Sequence, residues 1–264
     1  MPRWGGELYR KAFYPLLPRR IRARKLAYNF SLAAGERYAD GVSVLSSHDQ
    51  DLSLLSLDFL NSVSPKALFP QAVVQGYFDA APASDLLSRM QYADVKTYLT
   101  ADVLAKVDRM SMAASLEVRS PLLDHVFMEV AARIPITLKL RNGVSKYLLR
   151  KLAERLGVPR EVLYRPKQGF SLPLVHWMRN EMRDEIASLL MEPRTLQRGY
   201  FRRASTERIL REHNSGSRDH SAIIWLLLVF ELWHRNYLER WNAPDCNRAV
   251  VTLKIKPEHL PAIQ

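Results

Sequence analysis

Apolar residues recur at three- and four-residue steps along most of this chain, and alternating runs are rare. From Ser84 to Leu116 the positions Leu87, Met90, Val95, Tyr98, Leu99, Val103, Val107 and Met110 keep helical spacing. Thr100 is placed to cap a second helix inside that span, with Asp102 in its first turn. Ser120 caps the next predicted helix, and Pro121 suits its first position. Leu122, Leu123, Val126, Phe127, Val130, Ala131 and Ile134 form its stripe, and Pro135 ends it. Asn142-Gly143 marks a turn. Ser145 starts a further helix with Leu148, Leu149, Leu152 and Leu156 inside and Gly157 at its C-terminal end. Other helices are expected over 7–40 (basic, broken near Pro15 and Pro18), 50–62, 174–190, 204–213 and 219–240. The last is read as buried, carrying Trp225, Phe230, Trp233 and Trp241. Pro65, Pro70 and Pro82 bracket a loop-rich connection, and Pro159, Pro166, Gly169 and Pro173 an interrupted loop. Strand signal is nearly absent before residue 248. After it, Val251, Leu253 and Ile255 alternate on one face, and a lone strand is not stable by itself.

With 264 residues, 47% of them hydrophobic, the chain can bury a sizeable core. A single cysteine, Cys246, excludes an internal disulfide and a cysteine zinc cluster, so a cytoplasmic location is expected. The longest apolar run, Ala222 to Phe230, has nine residues, against about 20 for a membrane span. No membrane partner is therefore expected. The formal charge is +12, concentrated in residues 1–25 and in the six arginines of 194–211. Such stretches can meet nucleic acid or phosphorylated ligands, or be solvated helix faces.

Common catalytic signatures do not occur: no G-x-x-x-x-G-K-[ST], no G-x-G-x-x-G, no H-E-x-x-H and no G-x-S-x-G. His213 and His220 flank a Ser-Gly-Ser segment that reads as a surface turn, and no metal ligands are assigned. Three segments are more informative. Between two helices, 115–121 carries Glu117 and Arg119 among apolar neighbours, where charges need partners or a ligand. Asp124 follows in the first turn of the next helix. A structural ion-pair network of Asp108, Arg109, Glu117, Arg119 and Asp124 explains these charges equally well. Lys146 sits where a cation opposes the helix macrodipole, a position that suits an anion-binding site. A plain solvated lysine is the alternative. The loop Arg165-Pro166-Lys167-Gln168-Gly169-Phe170-Ser171-Leu172-Pro173 places two cations around a glycine.

Taken together, the run Tyr98–Asp124, the segment Gly143-Val144-Ser145-Lys146 and the segment Lys167–Pro173 resemble the synthetase domain of glutamine-hydrolysing asparagine synthetases. The resemblance extends more weakly over 1–240. It implies a mainly α chain: the helical C-terminal portion of an adenine nucleotide alpha hydrolase-like α/β synthetase domain whose sheet is largely missing here. Residues 1–241 would be that helical part and 242–264 a tail. It also implies carboxylate adenylation by ATP with Mg2+, followed by attack of ammonia, on aspartate or another small carboxylate. Lys146 would be catalytic, contacting the phosphates and the departing pyrophosphate. Glu117, Arg119, Asp124 and Lys167 would bind substrate or phosphate. The family's Ser-Gly-Gly-x-Asp-Ser phosphate loop and its acidic Ser-Gly-x-Gly-x-Asp-Glu segment do not occur, and residue 2 is Pro2 rather than a nucleophilic cysteine. The expected partner is therefore an N-terminal synthetase and glutaminase portion, as a fragment or split gene, with the chain inactive alone. Two rivals from other classes are a basic helical nucleic-acid-binding module, expected to be strongly salt-dependent, and a non-catalytic interaction fragment. The nucleic-acid reading leaves Glu117, Arg119, Asp124 and Lys146 without a purpose.

Overall fold

The computed structural model describes residues 28–43, 52–64, 71–166 and 172–239. These are mostly helical, with one two-stranded sheet and one isolated bridge. The chain divides into two compact units, Met1–Ser43 with Phe69–Gly169 and Val44–Leu68 with Phe170–Gln264. Among the described residues no helix is long and apolar enough to cross a membrane.

The first unit begins with the Ala34–Val42 helix, which packs on the Gln71–Ala80 and Leu86–Asp94 helices. Ala39 and Ala93 are fully buried, so small side chains let these helices approach closely. Tyr38 donates its hydroxyl proton to Asp94, and the Arg89 guanidinium lies 4.4 Å from the Phe78 ring centre. Gly35 sits at the tightest crossing. A Cβ there would lie 2.5 Å from the Gln75 Nε2 and 2.6 Å from the buried Phe78 ring. Gly35→Ala gains helix propensity of at most ~1 kcal/mol, whereas overpacking costs ~1–3 kcal/mol. Gln75 can swing away, but Phe78, 3% exposed, cannot. The variant should lose about 1 kcal/mol in urea unfolding, and a midpoint at or above wild type would refute this packing.

Structure departs from the sequence pattern in several places, each for a local reason. Residues 71–80 form a helix between Pro70 and Pro82 where a loop-rich connection was expected. Thr100 caps nothing. The chain runs from Leu86 to Ala113 without a break, through a π-helical stretch at Val95–Leu104, and the Thr100 hydroxyl donates back to the Thr97 carbonyl. Asp85 supplies the cap instead, accepting the Ser88 N–H at 2.8 Å. Ser120 and Pro121 open only a short 3-10 turn, Pro121–Leu123, and the α-helix starts at His125. Ser145 is not helical: Leu140–Arg141 and Val144–Ser145 pair as a hairpin. Asn142 and Gly143 both have positive φ, 50° and 77°, as a type I′ turn requires. The 174–190 span breaks at 180–182, leaving Leu174–Arg179 and Arg183–Met191.

The second unit holds the larger core. Trp177, Met178, Ile186, Leu190, Ile209, Ile224 and Leu228 interlock from four helices, Leu174–Arg179, Arg183–Met191, Arg203–Asn214 and Ser221–Trp233, with Met182 joining them from the break between the first two. The last helix buries one face only, and Trp225 and Trp233 lie on its exposed side. Residues 52–56 are tied to 200–205 by the Leu55–Phe201 bridge and by the Ser205 hydroxyl on the Ser53 carbonyl. The arginines expected to present a basic face at 194–211 are largely engaged. Arg194 pairs with Glu239, Arg198 with Glu231 and Glu239, Arg203 with Glu207, and Arg208 with Glu212. Residues 1–25, the 242–264 tail with its Val251–Ile255 pattern, Trp241 and Cys246 lie outside the described residues.

Candidate functional site

The candidate residues that the structure describes all belong to the first unit. The Ala105–Ala113 helix ends in a Schellman motif: Ser115 N–H bonds the Met112 carbonyl and Leu116 N–H the Ser111 carbonyl, both at 2.9 Å. The left-handed position of such a motif normally goes to glycine, but here Ser115 takes it with φ 58°. The chain then leaves the helix extended and presents Glu117 and Arg119. These two pair at 2.7 Å with both side chains largely exposed, so the bond contributes at most ~1 kcal/mol to stability. Asp124 is the N-cap of the His125–Arg133 helix, accepting the Phe127 N–H at 3.1 Å. That places it one step before the first turn where the sequence pattern put it, and gives it a structural role. Among the described residues the five-charge network does not form: Asp108 and Arg109 make no ion pair there, and Glu117–Arg119 is the link that exists.

Lys146 stands between the hairpin and the Tyr147–Arg155 helix, as the helix N-cap residue. Its backbone is left-handed, φ 54° and ψ 35°. The helix has no side-chain cap and no acidic residue in its first turn. Its leading N–H groups and the exposed Lys146 ammonium therefore share one positive end, with no described ion pair to neutralise it. Arg141, on the facing strand, stacks 5.2 Å from the Tyr147 ring centre and reaches its hydroxyl at 3.3 Å. Lys151, one turn on, is spent differently. It bonds Glu154 at 2.8 Å, which holds the lysine pKa above its ordinary value, and Arg160 bonds the other Glu154 oxygen at 3.0 Å. The C-terminal end closes at Gly157, φ 82°, in a second Schellman motif, as its sequence position predicts. Lys167 lies outside the described residues.

Backbone strain is concentrated here. Among the described residues the non-glycine positions with positive φ are Ser115, Asn142 and Lys146. Asn142 takes this conformation readily in its Asn-Gly turn, but Ser115 and Lys146 each cost of order 1 kcal/mol or more, and strain of this kind collects where a function holds it in place.

The helix faces of this unit are also unusual. The Leu148, Leu149, Leu152 and Leu156 stripe and the Val126, Phe127 and Val130 stripe form at the expected spacing, yet the described residues do not bury them. Leu152 is 51% and Leu156 75% exposed.

Comparison with protein families matches residues 43–235 to the asparagine synthase family. The chain belongs to that family. Curated relatives of this asparagine synthase family member include asparagine synthetase [glutamine-hydrolyzing] 1 of Bacillus subtilis (strain 168), 39% identical over 173 residues. That match takes in 66% of this chain and 27% of the relative. A putative asparagine synthetase [glutamine-hydrolyzing] of Mycobacterium bovis is 34% identical over 230 residues, 87% of this chain and 34% of the relative. The Gallus gallus asparagine synthetase [glutamine-hydrolyzing] is 38% identical over 97 residues, 36% of this chain and 17% of that protein. The chain thus spans about a third or less of the length of the relatives it matches. No solved structure gives a significant match.

The sequence pattern missed two features. The hairpin that sets Lys146 has strands of two residues each, too short for alternation to register, and only Asn142-Gly143 could have announced it. The Arg141–Tyr147 stack carries no sequence signature beyond the types and the six-residue interval.

Proposed function

We propose that this chain supplies the helical portion, including the phosphate-facing Lys146, of an ATP-dependent ligase that converts a carboxylate to an amide through an acyl-adenylate. The observation that carries the reading is an unpaired, exposed lysine in a strained conformation at an uncapped helix N-terminus, inside a segment shared with asparagine synthetases. The carboxylate oxygen attacks the α-phosphorus of ATP and the bond to the pyrophosphate oxygen breaks, so negative charge grows on the leaving group. A preplaced ammonium and free N–H groups stabilise that charge more in the transition state than in the ground state. Ammonia then displaces AMP from the acyl carbon. Glu117, Arg119 and Lys167 are proposed to contact substrate or phosphate. Asp124 is proposed to reach substrate through the carboxylate oxygen its cap leaves open. Mg2+ would accompany ATP, shielding its phosphates. Among the described residues no group of three His, Cys, Asp or Glu could hold the ion, and no step here runs through it.

The uncovered stripes support a second element of the proposal. They are the faces on which the remaining length of a synthetase, carrying the phosphate loop absent from this sequence, would pack. A cytoplasmic setting and a small carboxylate substrate belong to the same reading. The nucleic-acid alternative loses ground because the 194–211 arginines are mostly held in ion pairs.

The test is carboxylate-dependent exchange of labelled pyrophosphate into ATP. The chain alone should show none above background. Addition of the preceding portion of a synthetase, in trans or by fusion, should produce it with aspartate or another small carboxylate. Exchange by the chain alone would refute its dependence on a partner. A stable, ATP-binding reconstituted protein that activates no carboxylate would refute the ligase reading.

A further inference from the structure

The second unit contains a buried group of titratable side chains that the proposed chemistry does not use. It lies where the Arg203–Asn214 helix turns into the Ser221–Trp233 helix. The sequence suggested a surface turn, but His213 is 0% and His220 4% exposed. The His220 backbone N–H donates to His213 Nδ1 at 3.2 Å. That bond requires Nδ1 to be the unprotonated nitrogen, so the neutral ring carries its proton on Nε2. Nε2 is buried and has no hydrogen-bond partner. The Arg179 guanidinium reaches in from the Leu174–Arg179 helix and donates to the His213 carbonyl at 2.9 Å. Asp219 Oδ1 stands 3.7 Å from His213 Nδ1, outside hydrogen-bond range, and accepts the Ser221 N–H at 2.9 Å. The His220 ring is turned to Glu212, 2.6 Å away, and Glu212 also faces Arg208 at 3.6 Å.

The start of the turn is held by the Ser215, Gly216 and Arg218 N–H groups on the Arg211, His213 and Glu212 carbonyls, but its closing end, at His220, is tied to an acceptor that exists only while the His213 ring is neutral. A second proton would go to Nδ1, setting an N–H against the His220 N–H on a fully buried ring. We propose that this turn is an acid-opened latch, in which protonation of His213 removes the acceptor for His220 and loosens the closing end of the turn around it.

The sign follows from the surroundings. Burial pulls the His213 pKa below its ordinary 6.5, the Arg179 cation adds to that, and Asp219 opposes it less strongly. The open turn binds more protons than the closed one, so the closed form is favoured at high pH. That advantage is complete above about pH 6.5 and is lost as pH falls below it. One proton taken up on opening limits the effect to about tenfold in the opening equilibrium per pH unit.

Residue-resolved hydrogen exchange on the full chain, corrected for intrinsic rates, measures this directly at 215–221. Between pH 7.5 and 5 the wild-type protection should fall severalfold, and the fall should begin at higher pH than the titration of the His213 ring signal followed by NMR. His213→Asn places an oxygen where Nδ1 was, accepts the same N–H and does not titrate, so its protection should stay flat. Asp219→Asn keeps the bond to Ser221 but removes the opposing carboxylate, and should lose more protection than wild type at pH 5. This second variant decides the matter if His213→Asn is too unstable to measure. Wild-type protection that is flat over this range overturns the latch. So does a decline that follows His234, a further buried imidazole of this unit, or that persists unchanged in the variants.

Discussion

Replacing Lys146 by alanine in the reconstituted ligase is expected to lower the adenylation rate by on the order of 10²-fold or more, as for other preorganised groups that meet charge in a transition state. The fold should barely register the change. Lys146 makes no described side-chain bond, and its charge opposes the macrodipole of the helix it precedes, so truncation removes nothing structural there. The backbone adds a second contrast. Lys146→Gly also deletes the ammonium but relieves the left-handed strain, so it should be as inactive as Lys146→Ala while unfolding at higher denaturant. Lys146→Arg should restore little, because a planar guanidinium replaces a compact ammonium. Lys151→Ala is the control: it breaks a half-buried pair with Glu154, whose other oxygen stays bonded to Arg160, costs about 1 kcal/mol and should leave the rate near wild type. Pyrophosphate exchange and urea unfolding on the same four proteins separate the outcomes. Equal rates for Lys146→Ala and Lys151→Ala would make Lys146 an ordinary surface lysine.

Much of this fold was legible in the sequence, and the misses share a cause. Helical spacing identified the 86–113, 125–133 and 147–155 elements because each carries an apolar stripe over two turns or more, while 221–233 stood out as an almost continuous apolar run. Spacing alone does not say whether a stripe is covered, so Leu149 and Leu152 stand exposed, and Trp225 and Trp233, read on a buried helix, lie on its open side while Ile224 and Leu228 fill the core. Boundaries failed where a short polar side chain had two possible uses. Ser120 looked like a cap, but the 3-10 turn after it handed that role to Asp124, and Thr100 bonded inside a continuous helix. Of the site, Lys146 was legible as a misplaced cation. Its left-handed backbone was not, since residue type argues against it. Long-range pairing was the least legible of all: Glu231 and Arg235 stand at an i,i+4 interval, but nothing local marks Arg198 as their third member rather than as part of a basic face.

That last trio carries the largest expected stability effect. Glu231, 2% exposed, accepts Arg198 on one carboxylate oxygen at 2.6 Å and Arg235 on the other at 2.5 Å. Arg198 also pairs with Glu239, and Arg235 with Glu192 and the Thr195 hydroxyl. The side chains of both arginines are themselves nearly buried, 11% and 9% exposed. Glu231→Ala removes the carboxylate that both guanidiniums share and leaves two desolvated cations facing each other across the gap. Breaking a buried pair in this way costs ~3–5 kcal/mol, well beyond the value of the hydrogen bonds themselves, because the stranded charges cannot return to water. Glu239 and Glu192 hold the outer edges of the same arginines and should keep the loss toward the lower end of that range. Glu231→Gln retains one acceptor oxygen and should fall between wild type and alanine. Glu207→Ala serves as the comparison, since its pair with Arg203 is exposed and its loss should stay within ~1 kcal/mol. The measurement is urea unfolding of the three variants, with hydrogen exchange confirming that the loss lies in the Arg183–Met191 and Ser221–Trp233 helices. A Glu231→Ala protein no less stable than Glu207→Ala would show that the arginines find water or other partners, and that the trio does not hold this unit together.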